Sequence, residues 1–152
     1  LDGDYPADSP ELETQLRSIQ RDVAGVNNHL SPHTPKNLQK AFASFHDTWS
    51  PRVAGRVNNM MIKLAKFEGE FVWHHHKHED EMFLVHKGRL LMKFRDRDEI
   101  VNEGEFIIVP HGVEHCPVAL GGTCEVLLIE PATTINTGNA KDERKIIDLA
   151  SV

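Results

Sequence analysis

Apolar positions through the middle of this chain recur at every second residue, in short runs broken by glycine, proline or charge. Met60, Ile62 and Leu64 alternate with Met61, Lys63 and Ala65, which predicts a strand over residues 58–67. The same reading places strands over 70–76, 81–86, 89–94, 99–101, 106–109, 115–119 and 123–130. Gly88 is expected to make the tight turn between 81–86 and 89–94, and residues 95–98 a charged hairpin tip. Gly121-Gly122 reads as a two-residue hairpin, which would set Cys124 against Ala119 and Cys116 against Leu127. That spacing is too wide for a disulfide, so both cysteines are expected as free thiols. Many short strands with frequent turn signals predict an all-β sandwich or barrel.

Two regions follow other patterns. Ser9 before Pro10, then Leu12, Leu16, Ile19 and Val23, predict a capped amphipathic helix over 10–24, followed by a linker to residue 36. Leu38, Phe42 and Phe45 suit either a helical turn or an edge strand. Beyond the strands, 131–138 reads as a tail laid across the barrel, and Ile146-Ile147 as one more docked strand.

With 152 residues, 39% of them hydrophobic and 26% charged, the chain is expected to fold as one domain. A formal net charge of −6 without any basic cluster argues against nucleic acid or an anionic membrane as partner. No apolar run approaches the ~20 residues that span a bilayer, and no charged-then-apolar leader opens the sequence. Together with free thiols, this favours the reducing cytoplasm.

The candidate chemistry is concentrated in Gly69 to Gly88, GEFVWHHHKHEDEMFLVHKG. It could be a metal site, a solvated polar loop, or a chance run of histidines. On a strand, His74 and His76 project to one face, while Glu81 opens the next apolar run. Two imidazoles and a carboxylate on neighbouring strands make most of a coordination shell for a divalent transition metal. Downstream, Gly104 to His115 reads GEFIIVPHGVEH and brings His115 to about where a fourth ligand is needed.

Together the two blocks read G-x4-H-x-H-x4-E-x6-G and G-x5-P-x-G-x2-H. They closely resemble the two motifs of the cupin superfamily, over roughly residues 60–131. One spacing is x4 rather than x5, and Ala119 stands where the second motif usually closes with Asn. The resemblance implies a double-stranded β-helix, or jelly-roll barrel, over 37–152, with residues 1–36 as a short helical extension. It implies His74, His76, Glu81 and His115 as ligands to one divalent transition metal: Fe, Ni, Mn, Zn, Co or Cu. Val72, Phe83 and Val85 share the ligands' parity and are expected to line the pocket. Lys63 on the preceding strand either points inward, where it could meet an anionic substrate, or lies at the surface. His78 and His111 are candidates to stand beside the ligands, His75 should face away, and His86 is expected at a turn or surface.

No general acid or base is legible, and Tyr5, the only tyrosine, is far from Glu81 in sequence. Small single-domain chains of this kind look like the mannose-6-phosphate isomerase-like cupins, a likeness of fold. The resemblance therefore leaves a metal-dependent enzyme acting on a small molecule, of dioxygenase or isomerase type, or a non-catalytic ligand-binding or sensor module. Homodimerisation is expected from the family habit and the apolar face of the 10–24 helix.

Overall fold

The computed structural model describes residues 34–152. The helix expected over 10–24 and most of the linker lie outside the described residues. Asn37 caps the ambiguous segment as a helix, α1 (Leu38–Ala43), its side-chain oxygen accepting from the Lys40 amide at 2.9 Å. Six strands follow: β1 (Arg52–Val57), β2 (Met60–Phe67), β3 (Glu81–Phe94), β4 (Asp98–Val101), β5 (Phe106–Val109) and β6 (His115–Pro131). They pair antiparallel in the order β1-β2-β6-β3-β4, with β5 on the remaining part of β3.

β2 shows how alternation sorts this sheet. Lys63, Ala65 and Phe67 are buried on one face, and Ala65 and Phe67 join the main core with Phe83, Val85, Met92, Val126 and Leu128. On the other face Leu64 meets Phe42 and Phe45, with Ile62 and Leu127 packed alongside, so α1 covers the outside of β2. His86, expected at a turn or surface, is half-buried and stacks on Phe42 with ring centroids 5.1 Å apart.

The two longest strands correct the expected turns. Residues 81–94 form one strand, not two strands joined at Gly88, and residues 115–131 form one strand through Gly121-Gly122. In β3 the buried positions run Glu81, Phe83, Val85 and then Leu90, Met92, Phe94, a slip from odd to even numbers. A turn and a β-bulge leave the same mark in a sequence, a parity slip beside glycine, and here the bulge is realised. The pairing passes from Lys87↔Glu125 to Arg89↔Leu120, so Gly88 faces the extra residues of β6. Cys116 consequently lies opposite Lys93, and Cys124 opposite Phe67, rather than in a hairpin together. Both are buried free thiols, and burial pushes them up to about 11 and about 12.

Gly88 has φ 89, and a Cβ there would lie 3.0 Å from the Thr123 carbonyl oxygen and 3.3 Å from the Cys124 Cα. Gly121 has φ 71 but open space around its Cβ position. Gly88→Ala is therefore expected to lower stability by about 1–3 kcal/mol, and Gly121→Ala by less. Equal urea midpoints for the two variants would contradict the close approach.

The expected docking of Ile146-Ile147 is also corrected. Ile147 is 73% exposed, and Ala150 to Val152 dock instead: Ser151 bridges Val53 in parallel, and Val53 N donates to Ala150 O at 2.9 Å. Among the described residues no helix is long and apolar enough to cross a membrane.

Candidate metal centre

Three pieces of chain converge at one end of the core. Residues 70–76 were expected as a strand, but they meet β6 only through the isolated bridges Glu70↔Val118 and His74↔His115. The sums of the paired numbers differ by one, so the register slips between the bridges and no regular ladder forms. At the second bridge His74 N donates to His115 O at 3.0 Å and His115 N to His74 O at 2.9 Å. This reciprocal pair sets the two rings side by side, centroids 4.3 Å apart. Glu81 enters as the first residue of β3, paired with Val109 of β5. His76 is fixed through its carbonyl, which accepts from Gly112 N at 2.7 Å.

His74, His76, Glu81 and His115 each offer one donor atom, all within 4.8 Å of one another, and all four residues are buried. The ring orientations are set from behind. His74 Nδ1 lies 2.9 Å from the Val72 carbonyl and His115 Nδ1 2.9 Å from the Val113 carbonyl. A carbonyl only accepts, so each Nδ1 carries the proton and each Nε2 keeps a free lone pair. His76 Nε2 and His115 Nε2 lie 3.0 and 3.2 Å from Glu81 Oε2. Yet these three atoms are buried without an aligned hydrogen-bond partner. Buried polar atoms are nearly always satisfied, and atoms that crowd a common point without bonding each other suit a shared cation.

The electrostatics agree with that use. Burial and the neighbouring His115 hold His74 down at about 4, which keeps its ring neutral and able to coordinate at neutral pH. Burial alone would raise Glu81, but the imidazoles of His115 and His76 close beside it hold it well below the usual carboxylate range. The residues present therefore form a group that could bind a divalent metal.

A cavity of about 30 Å³ opens against this group, lined by Trp49, Phe67, Phe71, His74, Glu81, Phe83 and Glu130 among others. That is room for a water molecule or two. Phe83 thus lines the cavity, whereas Val85 is buried in the core and Val72 packs half-buried against it. Lys63 is inward and 2% exposed, but its ammonium lies 2.6 Å from Glu130 Oε1 and is not available to an anionic substrate. His78 and His111 stand outside the group: His78 is exposed, and His111 is held at 2.8 Å by the Asp80 carboxylate. Asp80 also accepts from the His111 amide at 2.8 Å, so this pair ties the loop before Glu81 to the turn after β5.

Two features were absent from the sequence reading. Asn139 clamps the peptide between the two ligand histidines, its Oδ1 accepting from His75 N at 2.8 Å and its N donating to His75 O at 3.1 Å. Gly138 beside it leaves no space for a Cβ, which would sit 2.3 Å from His75 O. The second feature is Glu130, buried next to Glu81 and paired with Lys63. The Thr-Gly-Asn run at 137–139 and the charges inside two apolar strands were the available signals.

The family model described as Cupin domain matches residues 60–130, which contain all four residues of the group. A solved cupin-2 domain containing protein from Shewanella frigidimarina is 44% identical, with a TM-score of 0.62, over 63% of this chain and 93% of that one. A solved protein from Neisseria meningitidis is 28% identical, with a TM-score of 0.60, over 65% of this chain and 100% of that one. The curated protein YdbB of Bacillus subtilis is 38% identical over 60 residues, 39% of this chain. The match spans about half of that relative's length, 53%.

Proposed function

Because the chain belongs to the cupin superfamily, we propose that His74, His76, Glu81 and His115 hold one divalent transition-metal ion. We further propose that the protein is a metal-dependent enzyme acting on a small molecule, by dioxygenase or isomerase/lyase chemistry. The observation that carries this reading is the set of buried, partnerless donor atoms around Glu81 Oε2. Three neutral imidazoles and a carboxylate suit Fe, Ni, Mn, Zn, Co or Cu without selecting strongly among them. When bound, such an ion supplies a Lewis acid or redox centre with coordination positions left open.

The chain's own residues provide the rest. Val72 and Val113 hold the His74 and His115 rings through their Nδ1 atoms. Asn139 fixes the turn of backbone that presents His74 and His76 together. Trp49, Phe67, Phe71 and Phe83 exclude bulk water from the cavity, which strengthens every polar contact made inside it.

The enzyme assignment is tested by incubating iron-loaded protein with small diols, thiols and aromatic acids while following dissolved oxygen and product formation. Oxygen uptake above a metal-free control is the result expected of dioxygenase chemistry. Conversion without oxygen uptake marks isomerase or lyase chemistry. Ligand binding without turnover under either regime would replace the enzyme by a binding or sensor module.

A further inference from the structure

The cavity against the metal group holds a water molecule or two, so an organic ligand reaches that group only if a wall moves. Most of the wall is fixed. Phe67, Glu81, Phe83 and Leu128 stand on β2, β3 and β6. Asn136 is tied to Arg144 O at 2.7 Å and to Ile146 N at 2.9 Å. Trp49 stands apart: it lies on the connection between α1 and β1, and its φ of 56 is in the left-handed region. Among the described residues Asn58 is the one other non-glycine residue there. Asparagine tolerates that region, whereas a bulky side chain is strained in it. Two hydrogen bonds and a stack hold Trp49 against this strain. Its N donates to Lys66 O at 2.8 Å and its Nε1 to Glu68 O at 2.9 Å. The indole stacks on both Phe67 and Phe71, with ring centroids 4.3 and 4.5 Å away.

We propose that Trp49 is the gate that decides which ligands reach the metal. A flat, one-ring ligand carrying a metal-binding donor atom enters by taking the place of the indole against Phe67 and Phe71. With Trp49 in position the centre takes only water-sized ligands. This rests on the metal reading above and deepens it by naming the shape that the open side of the centre takes. The place of the indole adjoins the metal group, because Trp49, His74 and Glu81 line one cavity. Phe71 links the two, stacked on Trp49 and edge-on to the His74 ring with centroids 5.5 Å apart. A planar ring recovers the two stacks that the indole gives up, and a saturated or branched ligand recovers neither. The exchange also lets the Trp49 backbone leave its strained conformation.

The test titrates zinc-loaded protein with imidazole, a flat ring with a donor nitrogen that is too large for the cavity as it stands. Calorimetry reads the affinity, and zinc content is measured on each sample. Trp49 emission is followed in a Trp73→Phe background, where Trp49 is the one remaining tryptophan. Imidazole should shift that emission to longer wavelength in step with saturation, as the indole passes from its stack into water. Trp49→Gly suits the left-handed backbone and empties the place. It should bind imidazole at least about tenfold more tightly than the wild type, the penalty for a ligand-competent form populated at about 10% or less. Indole added to Trp49→Gly should refill the place and return imidazole binding toward wild-type strength. Trp49→Phe leaves a smaller ring there and should fall between the two, which keeps the gate testable where the glycine variant does not fold. Equal imidazole affinity in the wild type and the folded variants overturns the gate. So does wild-type binding that leaves Trp49 emission unchanged, or indole that leaves imidazole binding to Trp49→Gly unchanged. Zinc-loaded protein that binds no imidazole in any of these forms overturns it as well. Failure of the wild type to take up zinc would instead defeat the metal reading, and this inference with it.

Discussion

Replacing His74 and His76 together by alanine is expected to abolish metal uptake while the fold survives. The two substitutions remove half of a four-residue group whose donor atoms lie within 4.8 Å of one another. Losing a group that merely orients a ligand costs roughly 10–100-fold in affinity, and losing two ligands should exceed that. The fold should persist because the structure around the histidines does not depend on their rings. The apolar core lies in β2, β3 and β6, and the backbone contacts of residues 74–76 to His115, Gly112 and Asn139 are retained. A chelator-competition titration of the double variant, with circular dichroism on the same sample, checks both halves. Metal bound at wild-type strength would remove these residues from the site, and loss of the β signal would make the ligands structural.

The second large effect concerns Lys63 and Glu130. Their 2.6 Å contact is almost entirely out of water. Burial and the neighbouring charge of Glu81 push the Glu130 carboxyl well above the usual range, with Lys63 pulling the other way. Lys63→Met takes away that opposing charge and leaves Glu130 facing Glu81 alone. Breaking one side of a buried pair costs about 3–5 kcal/mol, a large share of the roughly 5–15 kcal/mol that holds a domain folded. Replacing both residues by methionine keeps the volume and leaves no orphan charge, so it should restore stability to near the wild type or above. Urea unfolding of the single and double variants at pH 7 decides. A single variant as stable as the wild type, or a double variant no better than the single, would show that the pair is not coupled as described.

How much of this was legible follows from what each signal encodes. Period-two alternation finds strands, and β2 to β6 each contain residues that the pattern had placed in one, whereas β1 was not expected as a strand. The His-x-His pair, Glu81 and His115 could be read because ligand residue types at fixed spacings are a local signal, and the structure brings the four into one buried group. Gly88 and Gly121-Gly122 were misread because glycine at a parity slip marks a bulge as readily as a turn. Only the partner strand distinguishes them, and strand pairing is not written in either segment alone. Lys63 and Glu130 were missed as a pair for the same reason. They are 67 positions apart, and each looks like an ordinary charge on a half-exposed strand until β2 is laid against β6. The Asn139 clamp likewise depends on a contact 64 positions away. In residues 70–76 the alternation of ring directions was right, since His74 and His76 are both buried and His75 is less so. The regular strand was not, because the slip between the Glu70 and His74 bridges interrupts the ladder.

The central claim is that four buried side chains hold one metal ion, and elemental analysis of the protein tests it most directly. The sample should be purified without a histidine tag after growth in metal-replete medium, and then titrated with zinc and with ferrous iron. The account predicts close to one divalent transition-metal ion per chain, as purified or after titration. Protein that emerges metal-free and takes up neither ion would contradict it.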